Sequence, residues 1–289
     1  MENDYQQFVP NVHFEQIRIK DLVSNQAYQR NLSITHINRT AAHFDIYQIN
    51  PVKVSRRDGI NYVFNGQHTI EIVAQISGSR ETPVWCMIYD DLEYKHEADI
   101  FANQKLFDKP LSPYEIFMAH VEAGNDKQLF IKSLVESYNL TLSPTKTVGS
   151  ITAIATLEKI YDKYGFSMLD HVLRIIIETW EGANLSFSAN MLNAIAKLFF
   201  TYGDKLKDNI FIDKLSRVSI KELTRTAKER RPGSMGFSEA ILIYYNKKLH
   251  NPLSFEALYT YKAAKKSMPP LKYQEDIDEV PFIEVENVG

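Results

Sequence analysis

The residues Asn61-Tyr-Val-Phe-Asn-Gly-Gln-His-Thr-Ile70 constrain this chain more than any other stretch. An apolar run breaks at Asn65-Gly66 and a helical pattern of Ile70, Val73, Ala74 and Ile76 begins at once. The segment therefore reads as a buried strand, a glycine turn and the first turn of a helix spanning 67–76. Free backbone N–H groups and the positive end of the helix dipole meet at such a junction, and Gln67, His68 and Thr69 add side-chain donors. Together they favour an anion, with phosphate the natural choice. The plainer alternative is that Asn65-Gly66 only makes a tight connection and His68 is a satisfied surface histidine.

The flanking chain supplies a small α+β domain around this junction. Residues 14–20 alternate apolar and polar as a first strand does, and Asn25–Arg30 is a polar loop ending in an arginine. Ser33 is placed to cap a short helix through His43. Asn50–Ser55 is a strand, and Arg57-Asp-Gly59 is a hairpin turn into the junction. Val84–Tyr89, apolar throughout, reads as a central strand. Its lone Cys86 is expected to be a buried thiol, and one cysteine allows no internal disulfide and no thiolate metal cage. Glu93–Lys105 follows as a helix with Ala98, Phe101 and Ala102 inward. Ser112-Pro-Tyr-Glu115 then combines an N-cap serine, a proline at the first helical position and a capping-box glutamate.

This order of elements, with Tyr28-Gln-Arg30, Asn65-Gly-Gln-His68, Glu97–Lys105 and Leu111-Ser-Pro-Tyr-Glu115, resembles the N-terminal domain of the ParB/sulfiredoxin superfamily over residues 14–122. The resemblance implies an α+β domain of a small mixed sheet with helices, followed by an all-α domain. In ParB-like partition proteins this fold grips the phosphates of a cytidine nucleotide between two boxes. Here Asn65, Gly66, Gln67, His68 and Thr69 fall on the first, Asn103, Gln104 and Lys105 on the second, and Arg30 closes the early loop. A CTP-like nucleoside triphosphate with Mg2+ is thus the implied cofactor, and DNA and a second copy of the chain are the implied partners. Both arginines of the first box are replaced, by His68 and Thr69, so weaker phosphate affinity is expected. His68 adds charge only when protonated, so binding is expected to tighten as pH falls from about 7.5 to 6. Gln67 stands near the cysteine that sulfinic acid repair would need, which argues against that chemistry. The Gly-Gln-His sequence is similar to ParB-like proteins of phages and mobile elements.

The second half is helical. Residues 127–138 and 151–164 form two amphipathic helices whose spacing is compatible with a helix-turn-helix, and further helices are expected at 168–181, 188–202, 211–215, 220–230 and 238–249. The expected organisation is a ParB/sulfiredoxin-like domain over 1–122, a helical domain over 123–272 and an acidic, disordered tail over 273–289. The net charge of −3 hides an asymmetry: residues 197–272 carry 16 Lys and Arg against 7 Asp and Glu, whereas 273–289 carry 6 acids and no base. Lys146, Lys221, Arg225, Lys228, Arg230 and Arg231 are the candidate DNA contacts, with a solvated helix face as the plainer alternative.

Some relatives of this fold are nucleases and others phosphorylate a small molecule, so an NTPase, nuclease or kinase-like enzyme is an alternative, and an adaptor without ligand is another. Enzymatic chemistry needs a carboxylate near the phosphates, for which Asp45, Asp58, Glu71 and Glu97 are candidates, each equally a surface or capping residue. The histidines, among them His36, His43 and His96, show no ligand spacing, so no metal site is expected. No apolar run approaches the roughly 18 residues that span a bilayer, and the polar start is no signal peptide, so a cytoplasmic location is expected.

Overall fold

The computed structural model describes residues 10–24, 28–103, 106, 109–183 and 185–264, with side chains through residue 260. The chain is α+β and divides into two compact units, Met1–Pro110 and Leu111–Gly289. The first contains β1 (Val12–Arg18), a 3-10 turn (Ile19–Asp21), β2 (Leu22–Ser24), α1 (Ile34–Ala41), a second 3-10 turn (Ile46–Gln48), β3 (Val52–Arg57), β4 (Ile60–Asn65), α2 (Gln67–Ser77), β5 (Pro83–Tyr89) and α3 (Tyr94–Asn103). Its five strands form one mixed sheet in the order β1-β5-β3-β4-β2. β1 runs antiparallel to β5, β3 parallel to β5 and antiparallel to β4, and β2 parallel to β4.

Local chemistry explains the joints. Asp58 and Gly59 both have positive φ, 52° and 74°, as a two-residue hairpin whose twist matches its strands requires. They close β3 onto β4 with Arg57 opposite Ile60. Gly66 has φ +108° between β4 and α2, and a Cβ there would lie 3.2 Å from both the backbone and the side chain of Val52. Only glycine lets the strand end this close to β3 and turn directly into a helix. One face of the sheet packs Ile17, Val52, Val54, Val63, Val84, Cys86 and Ile88 against Ile70 of α2. Burial pushes the Cys86 thiol up to about 11, as expected of an inert core cysteine.

Two expectations about this unit need correction. β5 lies between β1 and β3, but β3 is the middle strand, and β5 is apolar without being covered on both faces, because Trp85 is 55% exposed. In α3 the inward residue is Glu97, wholly buried, while Ala102 faces solvent. Ala98 and Phe101 are half-buried, Phe101 meeting Tyr28 edge to face at 5.6 Å, and Glu97 is held inward by its ion pair with Arg57.

The second unit contains α4 (Pro113–Glu122), α5 (Asp126–Ser137), β6 (Thr141–Leu142), β7 (Ser150–Ile151), α6 (Ile154–Tyr164), α7 (Phe166–Trp180), α8 (Ala189–Tyr202), α9 (Asp208–Leu215), α10 (Ile220–Arg230), α11 (Ser234–Asn246) and α12 (Ala257–Ala264). α4 begins with the full capping box: Ser112 Oγ accepts from Glu115 N and Glu115 Oε2 accepts from Ser112 N. The boundary falls at Pro110 rather than after Glu122, because Phe117 of α4 is buried in the helical core beside Ile131 and Leu157. The connection between α5 and α6, residues 138–153, carries the parallel β6–β7 ladder. It is no three- or four-residue turn, so these helices are not a helix-turn-helix. The ladder also makes the unit almost, not entirely, helical. The expected acidic tail, 273–289, lies outside the described residues.

Candidate functional site

In the first unit, residues 28–33 are fastened by four side-chain bonds, two of them to the first turn of α2. Gln67 Nε2 donates to the carbonyl of Arg30 at 2.7 Å, and Ser33 N donates to His68 Nε2 at 3.1 Å. Gln29 Nε2 donates to the carbonyl of Val63 on β4, and Tyr28 Oη donates to Glu97 Oε2 at 3.2 Å. Glu97 Oε1 in turn lies 2.6 Å from Arg57 Nη1, and the Arg57 guanidinium sits 4.4 Å over the Tyr62 ring. Burial, followed by the charge of Glu97, pushes the Tyr28 phenol up to about 12, so it stays a proton donor.

These bonds bring Arg30, Gln67 and His68 together. Arg30 is exposed, and α2 begins at Gly66 with no side-chain cap. The N–H groups of its first turn therefore have no partner among the described residues. The Oε1 atoms of Gln29 and Gln67 are buried without a hydrogen-bond partner. Asn65 ends β4 opposite Lys53. Thr69 is half-buried and, with His43 and Asp45, lines a cavity of about 150 Å³ between α1 and α2. Asn103 ends α3 and is exposed, its side chain bonding back to Asp99 at 3.0 Å. Gln104 and Lys105 lie outside the described residues.

His68 does not behave as the sequence led us to expect. Burial, then the charge of Arg30 and the neighbouring His36, lower its pKa, and its Nε2 is already an acceptor for Ser33 N–H. It meets His36 edge to face at 5.4 Å. Protonation of the ring is therefore disfavoured, which opposes the tightening of phosphate binding expected on acidification. Gly66 likewise serves strand–helix packing first, and a larger residue there strains the backbone whether or not a ligand binds.

The carboxylates considered as bases hold structural posts. Asp45 caps the second 3-10 turn through Tyr47 N at 2.9 Å, Glu71 pairs with Arg80 at 3.0 Å, Asp58 makes the hairpin turn, and Glu97 is buried against Arg57. No cluster of three or more metal-ligating side chains occurs among the described residues.

In the second unit Lys221, Arg225 and Lys228, spaced i, i+4 and i+7, share one exposed face of α10. Arg225 has only a long 3.9 Å pairing with Glu229. Arg230 and Arg231 do not join that face: their Nε atoms lie 2.9 and 2.8 Å from Glu239, whose side chain is 2% exposed and also accepts from Tyr259 Oη. Burial pushes Glu239 upward, but the bond from Tyr259 and the two arginines outweigh it, and its pKa is lowered. Lys146 is exposed on the β6–β7 connection and shares no bond with these residues. No helix among the described residues is long and apolar enough to cross a membrane.

These features define a two-unit α+β protein with a basic helix in its helical half. The chain belongs to the family of unknown function DUF6551, whose profile matches residues 23–259. No curated protein matches it. Among solved structures it is similar to the C-terminally truncated chromosome-partitioning protein ParB from Caulobacter crescentus, complexed with CTP-gamma-S. The two are 13% identical with a TM-score of 0.34, over 79% of this chain and 99% of that one, a likeness too loose to carry an argument about chemistry.

Proposed function

We propose that this is a ParB-like DNA-binding protein whose first unit takes a nucleoside triphosphate at the start of α2 and whose second unit contacts DNA through α10. The observation that supports it best is the fastening of residues 28–33 over α2, which sets Arg30 beside His68 and an uncapped helix start. A helix N-terminus with an adjacent guanidinium suits a phosphate group. Gly66, Gln67, His68 and Thr69 would supply backbone N–H groups, and Asn103, Gln104 and Lys105 remain candidates for the far phosphate. Because burial and the neighbouring guanidinium disfavour a charge on His68, Arg30 is the cation on which affinity rests.

Calorimetric titration with the four ribonucleoside triphosphates, with and without Mg2+, tests the first half of this reading. Binding of one of them with an affinity reduced about tenfold or more in Arg30→Ala is expected, the worth of one charge-assisted hydrogen bond. Affinity is expected to stay level between pH 7.5 and 6.5. Millimolar binding of all four, or an Arg30→Ala variant that binds as wild type, overturns it. For the second half, Arg225→Glu with Lys228→Glu is expected to weaken duplex binding for all sequences alike and to lower the log–log salt slope by about 0.9 per lost contact. Absence of any duplex shift in about 50 mM salt removes α10 as a DNA surface.

A further inference from the structure

The sheet face opposite α2 is covered by α3 at Arg57 and Tyr62 but open where β1 meets β5, and there it carries two large aromatic side chains that no packing requirement explains. Phe14 is 53% and Trp85 55% exposed, on adjacent antiparallel strands. Phe14 stands opposite Met87 and Gln16 opposite Trp85, so the two rings are diagonal neighbours on one face, roughly 7–8 Å apart at the backbone. The next strand places Lys53 beside Met87 in register. Lys53 has no ion pair or hydrogen bond among the described residues, and none of these register partners is a carboxylate. The acidic residues of β1 and its neighbours, Glu15 paired with Arg56 and Asp90 with His13, belong to the other face, since alternate residues of a strand point to opposite sides.

Two exposed rings side by side on a sheet, beside an unpaired cation, make a stacking platform: each base of a single strand offers a π-face, and lysine meets the backbone phosphate. A duplex keeps its bases stacked on one another and cannot use it. The apolar part of the patch is Phe14, Trp85 and Met87 flanked by Val12, Pro83 and Tyr89, few side chains beside the roughly 20–30 residues that a stable protein interface takes from each partner. From this we infer that the β1–β5 face binds single-stranded nucleic acid, with Phe14 and Trp85 as stacking residues and Lys53 as the phosphate contact. This site is separate from α2 and α10.

Intrinsic fluorescence reads it directly. The chain has two tryptophans, and Trp180 is 8% exposed in the helical core, so a ligand on the sheet quenches Trp85. An oligothymidylate of about 12 nucleotides is expected to quench the full-length protein, and the same sequence as duplex is not. By anisotropy of a labelled oligonucleotide, Trp85→Ala and Phe14→Ala are each expected to lose about tenfold or more in affinity, while Trp85→Phe retains binding and Lys53→Ala flattens the salt dependence. Arg225→Glu with Lys228→Glu leaves the quenching unchanged, so failure here and failure of the α10 reading are distinguishable. No quenching, or alanine variants that bind as wild type, overturns the inference. So does a concentration-dependent dimer that Trp85→Ala dissociates, which assigns the face to a second copy of the chain.

Discussion

Each unit buries one glutamate against arginine and tyrosine, and the two arrangements do different things. In the first, Glu97 is wholly buried and holds one arginine, Arg57, itself only 23% exposed, together with Tyr28 at the start of the loop that carries Arg30. In the second, Glu239 holds Arg230 and Arg231, both about half exposed, together with Tyr259 of α12. The first pairing locks a loop onto a helix in a unit with a small core, and so positions the exposed side chain of Arg30. The second closes a turn between two helices that already share a large apolar core, and so withdraws two cations from the exposed face of α10 that carries Lys221, Arg225 and Lys228. A buried ion pair thus acts through what its partners are attached to, more than through its own strength.

The largest expected effect breaks the first pairing. Glu97→Ala leaves Arg57 inside without a counter-charge and is expected to cost about 3–5 kcal/mol in urea unfolding of the first unit. A loss under about 1 kcal/mol would mean that the pair is dispensable. Glu239→Ala is expected to cost less, about 1–2 kcal/mol, because Arg230 and Arg231 can turn to water. A cost equal to that of Glu97→Ala would erase the distinction. The same change is expected to tighten duplex DNA binding and steepen its salt dependence, by freeing two guanidinium groups, whereas Glu97→Ala leaves α10 as it is.

A smaller effect is expected from pH. The folded-state pKa of Glu239 lies below its ordinary 4.5, so its contribution is present above that value and lost as pH falls through the folded pKa. Acid unfolding of Glu239→Gln is expected to lack this component. His68 acts in the same direction at higher pH: its pKa is lowered on folding, so its contribution is present above its ordinary 6.5 and is lost as pH falls toward the folded value. His68→Gln is expected to flatten the fall in stability below pH 6.5, read from urea midpoints.

The parts of the fold that local chemistry dictates were legible in the sequence. The strand–glycine–helix junction, the Asp58-Gly59 hairpin and the Ser112 capping box are each set by residues within a few positions of one another. Lys221, Arg225 and Lys228 were legible as one face from spacing alone. What could not be read depended on partners elsewhere in the chain. Glu97 looked like a surface residue because Arg57 is on another element, and Arg230 and Arg231 looked free because Glu239 lies beyond the Pro232-Gly233 break. Trp85 looked buried because an apolar run does not reveal that α3 covers the second face of the sheet at Arg57 and Tyr62 while leaving its β1–β5 end open. The β6–β7 ladder was too short to leave a periodic signal. Gln29 and Gln67 gave no signal either, since an amide that ties down a loop has no preferred sequence context.

The position of β1 has a consequence for handling the protein. It is the outermost strand of the sheet, and its outward rim of backbone donors and acceptors is guarded by His13, Glu15 and Arg18. Remove or fray it, and the new rim is Val84-Trp-Cys-Met-Ile-Tyr89, six consecutive residues with no charge and no proline. Such a segment templates cross-β association. Variants trimmed past Arg18 are therefore expected to precipitate on mild heating rather than to melt reversibly, and Met87→Lys is expected to restore their solubility.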